Sequence, residues 1–208
     1  MPEMDDPHRI TSLADLRERL GEPHPATALK VFDALDEQMT AFLARSPFCL
    51  LATSDAEGRL EVSPKGDGSG FVLVEDSRRL VVPDRKGNKL LFGLQNILAN
   101  PNVALIFLVP GTDETLRVRG RAELSADPEL LARLSARGQP ALVAIRVAVE
   151  RCFFHCARAF LRAELWQPET WGERQPVSFG RQLAPKLGGG AELAERIDLG
   201  LEKGRTDL

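Results

Sequence analysis

The chain has 208 residues, enough for one well-buried core with terminal extensions, and its 43% hydrophobic and 27% charged content suits a soluble globular domain. A net charge of −3 gives no global field to recruit nucleic acid, and three cysteines, an odd and sparse set, argue against a disulfide framework and suit a reducing cytoplasm. The apolar runs are too short for a membrane span, the acidic, proline-bearing stretch Met1–Asp6 is not a secretory signal, and with no tyrosine a phenolic proton donor is unavailable.

Residues Thr11–Leu20 read as a helix that Thr11 or Ser12 caps and Gly21 ends. Across Ala26–Arg45 the residues Leu29, Phe32, Leu35, Met39, Phe42 and Leu43 recur at helical spacing, until Ser46-Pro47 stops the pattern. Short strands follow over Phe48–Thr53, Arg59–Ser63, Gly70–Glu75 and Arg79–Pro83. Asn88–Asn100 reads as a helix with Asn88 as its N-cap. Strands over Val103–Val109, Leu116–Leu124 and Ala141–Phe154 then enclose a helix over Asp127–Arg137, which has proline at its first position. From Trp171 the prolines and Gly188-Gly189-Gly190 mark a linker to a helix over Ala191–Lys203. Six or more hairpin-spaced strands with few helices between them predict a mainly β fold, a closed or nearly closed antiparallel barrel with flanking helices.

Cationic and polar groups gather at the ends of these strands. Lys65 lies in Ser63-Pro64-Lys65-Gly66-Asp67, where the glycine permits close approach of a ligand; alone, it reads equally well as a solvated loop lysine. Arg59, two and four residues before Glu61 and Ser63, shares their face of the strand and points into the same cavity or to solvent. In Val82-Pro83-Asp84-Arg85-Lys86-Gly87-Asn88-Lys89, an Asn88-capped helix would direct free amides at an anion, with Arg85, Lys86 and Lys89 adding charge. The alternative is a capped helix with solvated flanks. Arg117, Arg119 and Arg121 alternate onto one face, and Thr115 with Arg117 lies nearest the site end. Arg158, Arg162 and Trp166 are four residues apart and, on a helix, form a stripe that stacks on a cofactor or packs on the barrel.

Other chemistries find little support. Cys152, His155 and Cys156 fall one ligand short of a zinc site, so no metal is expected. Cys49 reads as an inert core thiol, and without a Gly-x-Ser-x-Gly elbow a Ser-His-Asp hydrolase is unsupported.

Taken together, Ser46-Pro47-Phe48, Ala52–Gly58, Val62–Asp67, Val82–Arg85, Gly87-Asn88-Lys89, Asn96–Pro101, Ile106–Gly111, Glu114–Ala122 and Phe154–Ala159 resemble the FMN-binding split-barrel proteins of the pyridoxamine 5'-phosphate oxidase type, over roughly residues 36–168. More narrowly, they resemble a branch of probable FMN-dependent flavoproteins. The resemblance implies an antiparallel, Greek-key-like split β-barrel over 46–168, with a helical extension over 1–45 and a tail with a short helix over 169–208. It implies a homodimer that holds FMN at the subunit interface and carries out redox chemistry on a small molecule, with NAD(P)H one candidate donor and the donor itself left open. Arg59, Ser63, Pro64 and Lys65 would lie along the flavin, Val82, Pro83, Asp84 and Arg85 would pass its ring edge, and Asn88 and Lys89 would hold its phosphate. Thr115 and Arg117 would close the site from the partner, and Trp166 with Arg158 or Arg162 would cover it. Lys89 replaces an arginine usual in this branch, and so keeps the charge without the bidentate fork. The C-terminal signature for pyridoxal phosphate is not recognisable after Trp171, which leaves the substrate unassigned. Three other readings stay open: a non-catalytic flavin sensor, a haem-binding relative that uses His155 or His24, and a deazaflavin in place of FMN.

Overall fold

The computed structural model describes Asp6 and residues 8–204. The N-terminal stretch Met1–Asp5, part of the segment read as no secretory signal, lies outside these residues. Seven strands form one sheet: β1 (Phe48–Ser54), β2 (Leu60–Gly66), β3 (Leu73–Asp76), β4 (Arg79–Asp84), β5 (Asn102–Leu108), β6 (Thr115–Ser125) and β7 (Val143–His155). Their spatial order is β2-β1-β5-β6-β7-β4-β3, and every ladder is antiparallel. The chain thus forms a mainly β, antiparallel sheet with flanking helices, consistent with a split barrel.

Alternation explains how the sheet buries one face. Along β6, Leu116, Val118 and Ala122 are buried, while Arg119, Arg121 and Glu123 are exposed. Cys49, Leu51, Leu105, Phe107, Leu80, Val82, Ile145 and Val147 complete the inner face. Helix α3 (Glu37–Leu43) closes one end with Met39, Phe42 and Leu43. Burying each such side chain is worth about 1.5–3 kcal/mol. Where β6 and β7 cross, the register shifts between Arg119 and Gly120. A Cβ on Gly120 would sit 1.9 Å from the Ala148 carbonyl oxygen, so only glycine fits there.

Several elements differ from the sequence expectation. The Ala26–Arg45 pattern is not one helix: α2 spans only Ala26–Leu29, and α3 starts afresh after Asp36, whose carboxylate accepts the Met39 amide at 2.7 Å. Between them Phe32 exchanges backbone hydrogen bonds with Cys152 at 3.0 and 2.8 Å, and this tertiary pairing overrides the helical period. β2 does not end before the Ser-Pro-Lys-Gly cluster but runs through it, so that Lys65 pairs in register with Cys49. The helix expected from Asn88 is α4 (Phe92–Ala99), and Asn88 is not its cap: Lys89 and Leu91 have φ of 61° and 58°, which holds residues 85–91 in a loop.

Helix α1 (Leu13–Leu20) is capped by Ser12, and α5 (Pro128–Arg133) by Asp127 with proline in its first turn. Helix α6 (Arg158–Arg162) stops at Arg162, and Glu164 (φ 49°) turns the chain, so Trp166 is not on the helical stripe expected with Arg158 and Arg162. The C-terminal segment folds as a hairpin of α7 (Phe179–Leu183) and α8 (Ala191–Gly204), with Gly180 against the Ala194 carbonyl. No helix of the described residues is long and apolar enough to cross a membrane.

Candidate functional site

The two ends of the sheet, β2 and β3, are not hydrogen-bonded to each other. Side chains bridge the split instead. Lys65 of β2 forms an ion pair with Asp84 at the end of β4, and their side chains are only 18% and 13% exposed. Next to it Arg85 donates from Nε to Asp67 Oδ2 at 2.8 Å and from Nη2 to the Leu134 carbonyl at 2.7 Å. Its Nη1 is buried and has no partner. The guanidinium is thus held by two protein acceptors, with one buried nitrogen left unsatisfied.

Above these pairs lies a cleft of about 440 Å³, within the range of small-molecule sites. β2 supplies Glu61, Ser63, Pro64 and Lys65, and the β4 end and its loop supply Asp84 to Leu91. The first turn of α4 and the pair Leu142 and Val143 complete it. The helix sits close on the sheet: a Cβ on Gly93 would lie 3.6 Å from Ser63 Oγ and 3.7 Å from Thr53 Oγ1. The buried Asn96 fixes it by donating from Nδ2 to Thr53 Oγ1 at 3.1 Å.

The N-terminus of α4 carries no side-chain cap, because Leu91 occupies the cap position. Its first intrahelical bond runs from the Gln95 amide to the Leu91 carbonyl at 2.9 Å, so the Phe92, Gly93 and Leu94 amides open at the cleft with the positive end of the helix dipole. Asn88 acts differently from its expected role: its Oδ1 accepts the Leu90 amide at 3.0 Å and shapes the loop that presents Lys86 and Lys89. Apolar walls from Leu51, Leu91, Leu94 and Val143 face this polar end. The cleft can hold a flat, largely apolar body with an anionic terminus.

Of the residues singled out in the sequence, the cleft gathers Ser63, Pro64, Lys65, Asp84, Arg85, Asn88 and Lys89. The others lie outside it. Arg59 is bound to Asp55 at 2.5 Å and Glu57 at 2.7 Å and is highly exposed. Val82 and Pro83 are buried within β4. Thr115 and Arg117 start β6, on the sheet face opposite the core, where Thr115 pairs with His155. Trp166 donates from Nε1 to the Thr112 carbonyl at 3.0 Å and packs on Phe160, while Arg158 and Arg162 are exposed on α6. Asp67, Gly93, Leu142 and Val143 were not anticipated. Asp67 had a visible signal, an acid two residues past a candidate anion-binding lysine; the rest had none.

Burial pushes the Cys49 thiol up to about 12, against a smaller opposite pull from Lys65, so the thiol beside the cleft is inert. Among the described residues, no group of three or more His, Cys, Asp or Glu side chains is placed to hold a metal ion.

Residues 35–156 match the family described as Pyridoxamine 5'-phosphate oxidase. The chain belongs to the pyridoxamine 5'-phosphate oxidase family. No curated protein matches it. Solved structures that align with it include HupZ of group A Streptococcus, 18% identical over 58% of this chain and 93% of that one, with a TM-score of 0.48. An F420 reductase aligns at 22% identity over 58% of this chain and 98% of its own, TM-score 0.42. An FMN-binding protein from Syntrophomonas wolfei aligns at 10% identity over 69% and 97%, TM-score 0.44. At these scores the three likenesses carry no functional argument, and membership of the pyridoxamine 5'-phosphate oxidase family rests on the match over 35–156.

Proposed function

We propose that the protein is an FMN-dependent oxidoreductase that works as a homodimer in the cytoplasm, with its flavin-binding unit over residues 46–168 and extensions over 1–45 and 169–208. The observation that carries this reading is the cleft at the split, which the uncapped α4 N-terminus, Lys65, Arg85 and Lys89 line together. A phosphate suits the helix end and the lysines, and a flat ring system suits the apolar walls.

In this assignment the backbone around Asn88 and the Lys89 ammonium hold the phosphate, and Ser63, Pro64 and Lys65 run along the ring and ribityl chain. Asp84 and Arg85 form the floor, and Lys65 and Arg85 bring positive charge to the ring edge. When bound, the flavin supplies two-electron transfer; the chain's own groups bind it, orient it and exclude water.

A homodimer suits the face of the sheet opposite the core. Leu60, Val62 and Phe48 are 75%, 59% and 36% exposed there, and register continues the face through Leu50, Ala52, Ala104 and Ile106 to Arg117. Pairing two copies there covers this surface and brings Thr115 and Arg117 toward the partner's cleft. Arg59, Arg158, Arg162 and Trp166 then serve as outer closing groups.

The test is a visible spectrum of protein purified without added cofactor, with mass analysis of what heat releases. Oxidised-flavin bands with an FMN mass are expected, and Lys65→Ala/Lys89→Ala protein should be folded and colourless. A deazaflavin mass would change the cofactor, and a Soret band on adding haem would change the class. A colourless wild type that also refuses FMN in titration overturns the reading.

A further inference from the structure

The face of the sheet opposite the core carries a second concentration of charge, on β6 and β7 and outside the cleft. Three register pairs lie side by side there: Thr115 with His155, Arg117 with Phe153, and Arg119 with Arg151. Two arginines directly opposite each other on an antiparallel pair repel. Chain-distant Lys30 joins them, its Nζ 5.7 Å from the Phe153 ring centroid, and the Arg151 guanidinium carbon lies 5.7 Å from the same ring. The His155 ring is 6.3 Å from Phe153.

No carboxylate of the described residues forms an ion pair with this group. Among the described residues, no ion pair engages Lys30, Arg117, Arg119, Arg151 or His155. Glu150, the extra residue at the β6–β7 register shift, makes none either. The Nε of Arg117 is buried without a partner. Burial, then the Arg117 and Lys30 charges, holds the His155 imidazole below its ordinary value of 6.5. Cations converging from three segments, with a desolvated donor left open, favour an anion from outside the chain.

We propose that Lys30, Arg117, Arg119, Arg151 and His155 form a binding site for the carboxylate or phosphate group of a small organic anion, the substrate of the flavin site. The anion site stands on the cluster alone; that its occupant is the substrate rests on the homodimeric flavin reading, which turns this face toward the partner's cleft. Arg117 then sits between the two ligands, and Lys30 and His155 touch only the substrate.

The experiment uses the full-length chain, with and without FMN, and follows the His155 ring resonances by NMR, assigned with a His155→Gln variant. Inorganic phosphate and benzoate are titrated at ionic strength held constant with sodium chloride. Saturable shifts are expected, with the His155 protonation midpoint moving upward, and the probe that saturates lower distinguishes a phosphate ester from a carboxylate. Lys30→Ala should weaken that probe at least tenfold while FMN titration is unchanged. Shifts that do not saturate, or that Lys30→Ala leaves intact, overturn the site. FMN binding without an anion response sinks this proposal alone. Anion binding by a chain that refuses FMN sinks the flavin reading and leaves the anion site standing.

Discussion

Lys65 and Asp84 join the two sides of an opening that no backbone ladder closes. Both side chains are mostly buried, so each neutralises a charge that would otherwise be desolvated alone.

Removing only one of them should therefore cost more than removing both. Asp84→Ala is expected to destabilise the fold by about 1–3 kcal/mol, less than a fully buried pair because both groups keep some solvent. The Lys65→Met/Asp84→Leu double variant should recover part of that loss. Urea unfolding of the four proteins in the cycle measures the coupling, and additive losses would show that the pair is not coupled.

Where β6 and β7 shift register, their backbones approach closely at Gly120. Gly120→Ala places a methyl group 1.9 Å from the Ala148 carbonyl oxygen, where only backbone can yield. A loss of about 1–3 kcal/mol or more is expected by thermal or urea unfolding. An unchanged midpoint would mean that the strands separate there at little cost.

Thiol reactivity should divide the cysteines. Burial pushes Cys49 up to about 12 and, with the Asp36 and Asp33 charges, Cys152 up to about 11, while Cys156 is exposed. With an aromatic disulfide reagent at pH 8, native protein should release the equivalent of one thiol quickly, and all three only on unfolding. Cys156→Ser should abolish the fast phase.

Acid should loosen the C-terminal hairpin. The Ser178 hydroxyl and then the Gly180 amide hold the Asp198 carboxyl below its ordinary 3.8. A carboxyl lowered by folding contributes stability above its unfolded value and loses it as pH falls through the folded one. Hydrogen exchange at Gly180 should thus lose protection below about pH 3.8. Asp198→Ala should show the same loss at neutral pH, and an unchanged Gly180 in that variant would rule the tie out.

The residues explain what was legible in the sequence. Alternation along β6 and β7 and the Asp127-Pro128 start of α5 are local signals, and they reappear in the structure. The break in the N-terminal helix comes from Phe32 pairing with Cys152, 120 residues away, which no local period encodes. The late start of α4 follows from left-handed backbone at Lys89 and Leu91, unusual for both residue types. The cleft was legible where its groups fall in one run, as at Asp84 to Lys89, and illegible at Leu142 and Val143, which β7 delivers from far along the chain.

An open sheet leaves strand edges, and an edge is a template on which other chains can polymerise. β2 guards its own edge with the residues that build the cleft: Pro64 has no amide to offer a passing strand, and Lys65 turns a charge inward beside it. Apolar replacements at these two positions would therefore do more than empty a pocket; they would expose the chain to fibrillar self-association.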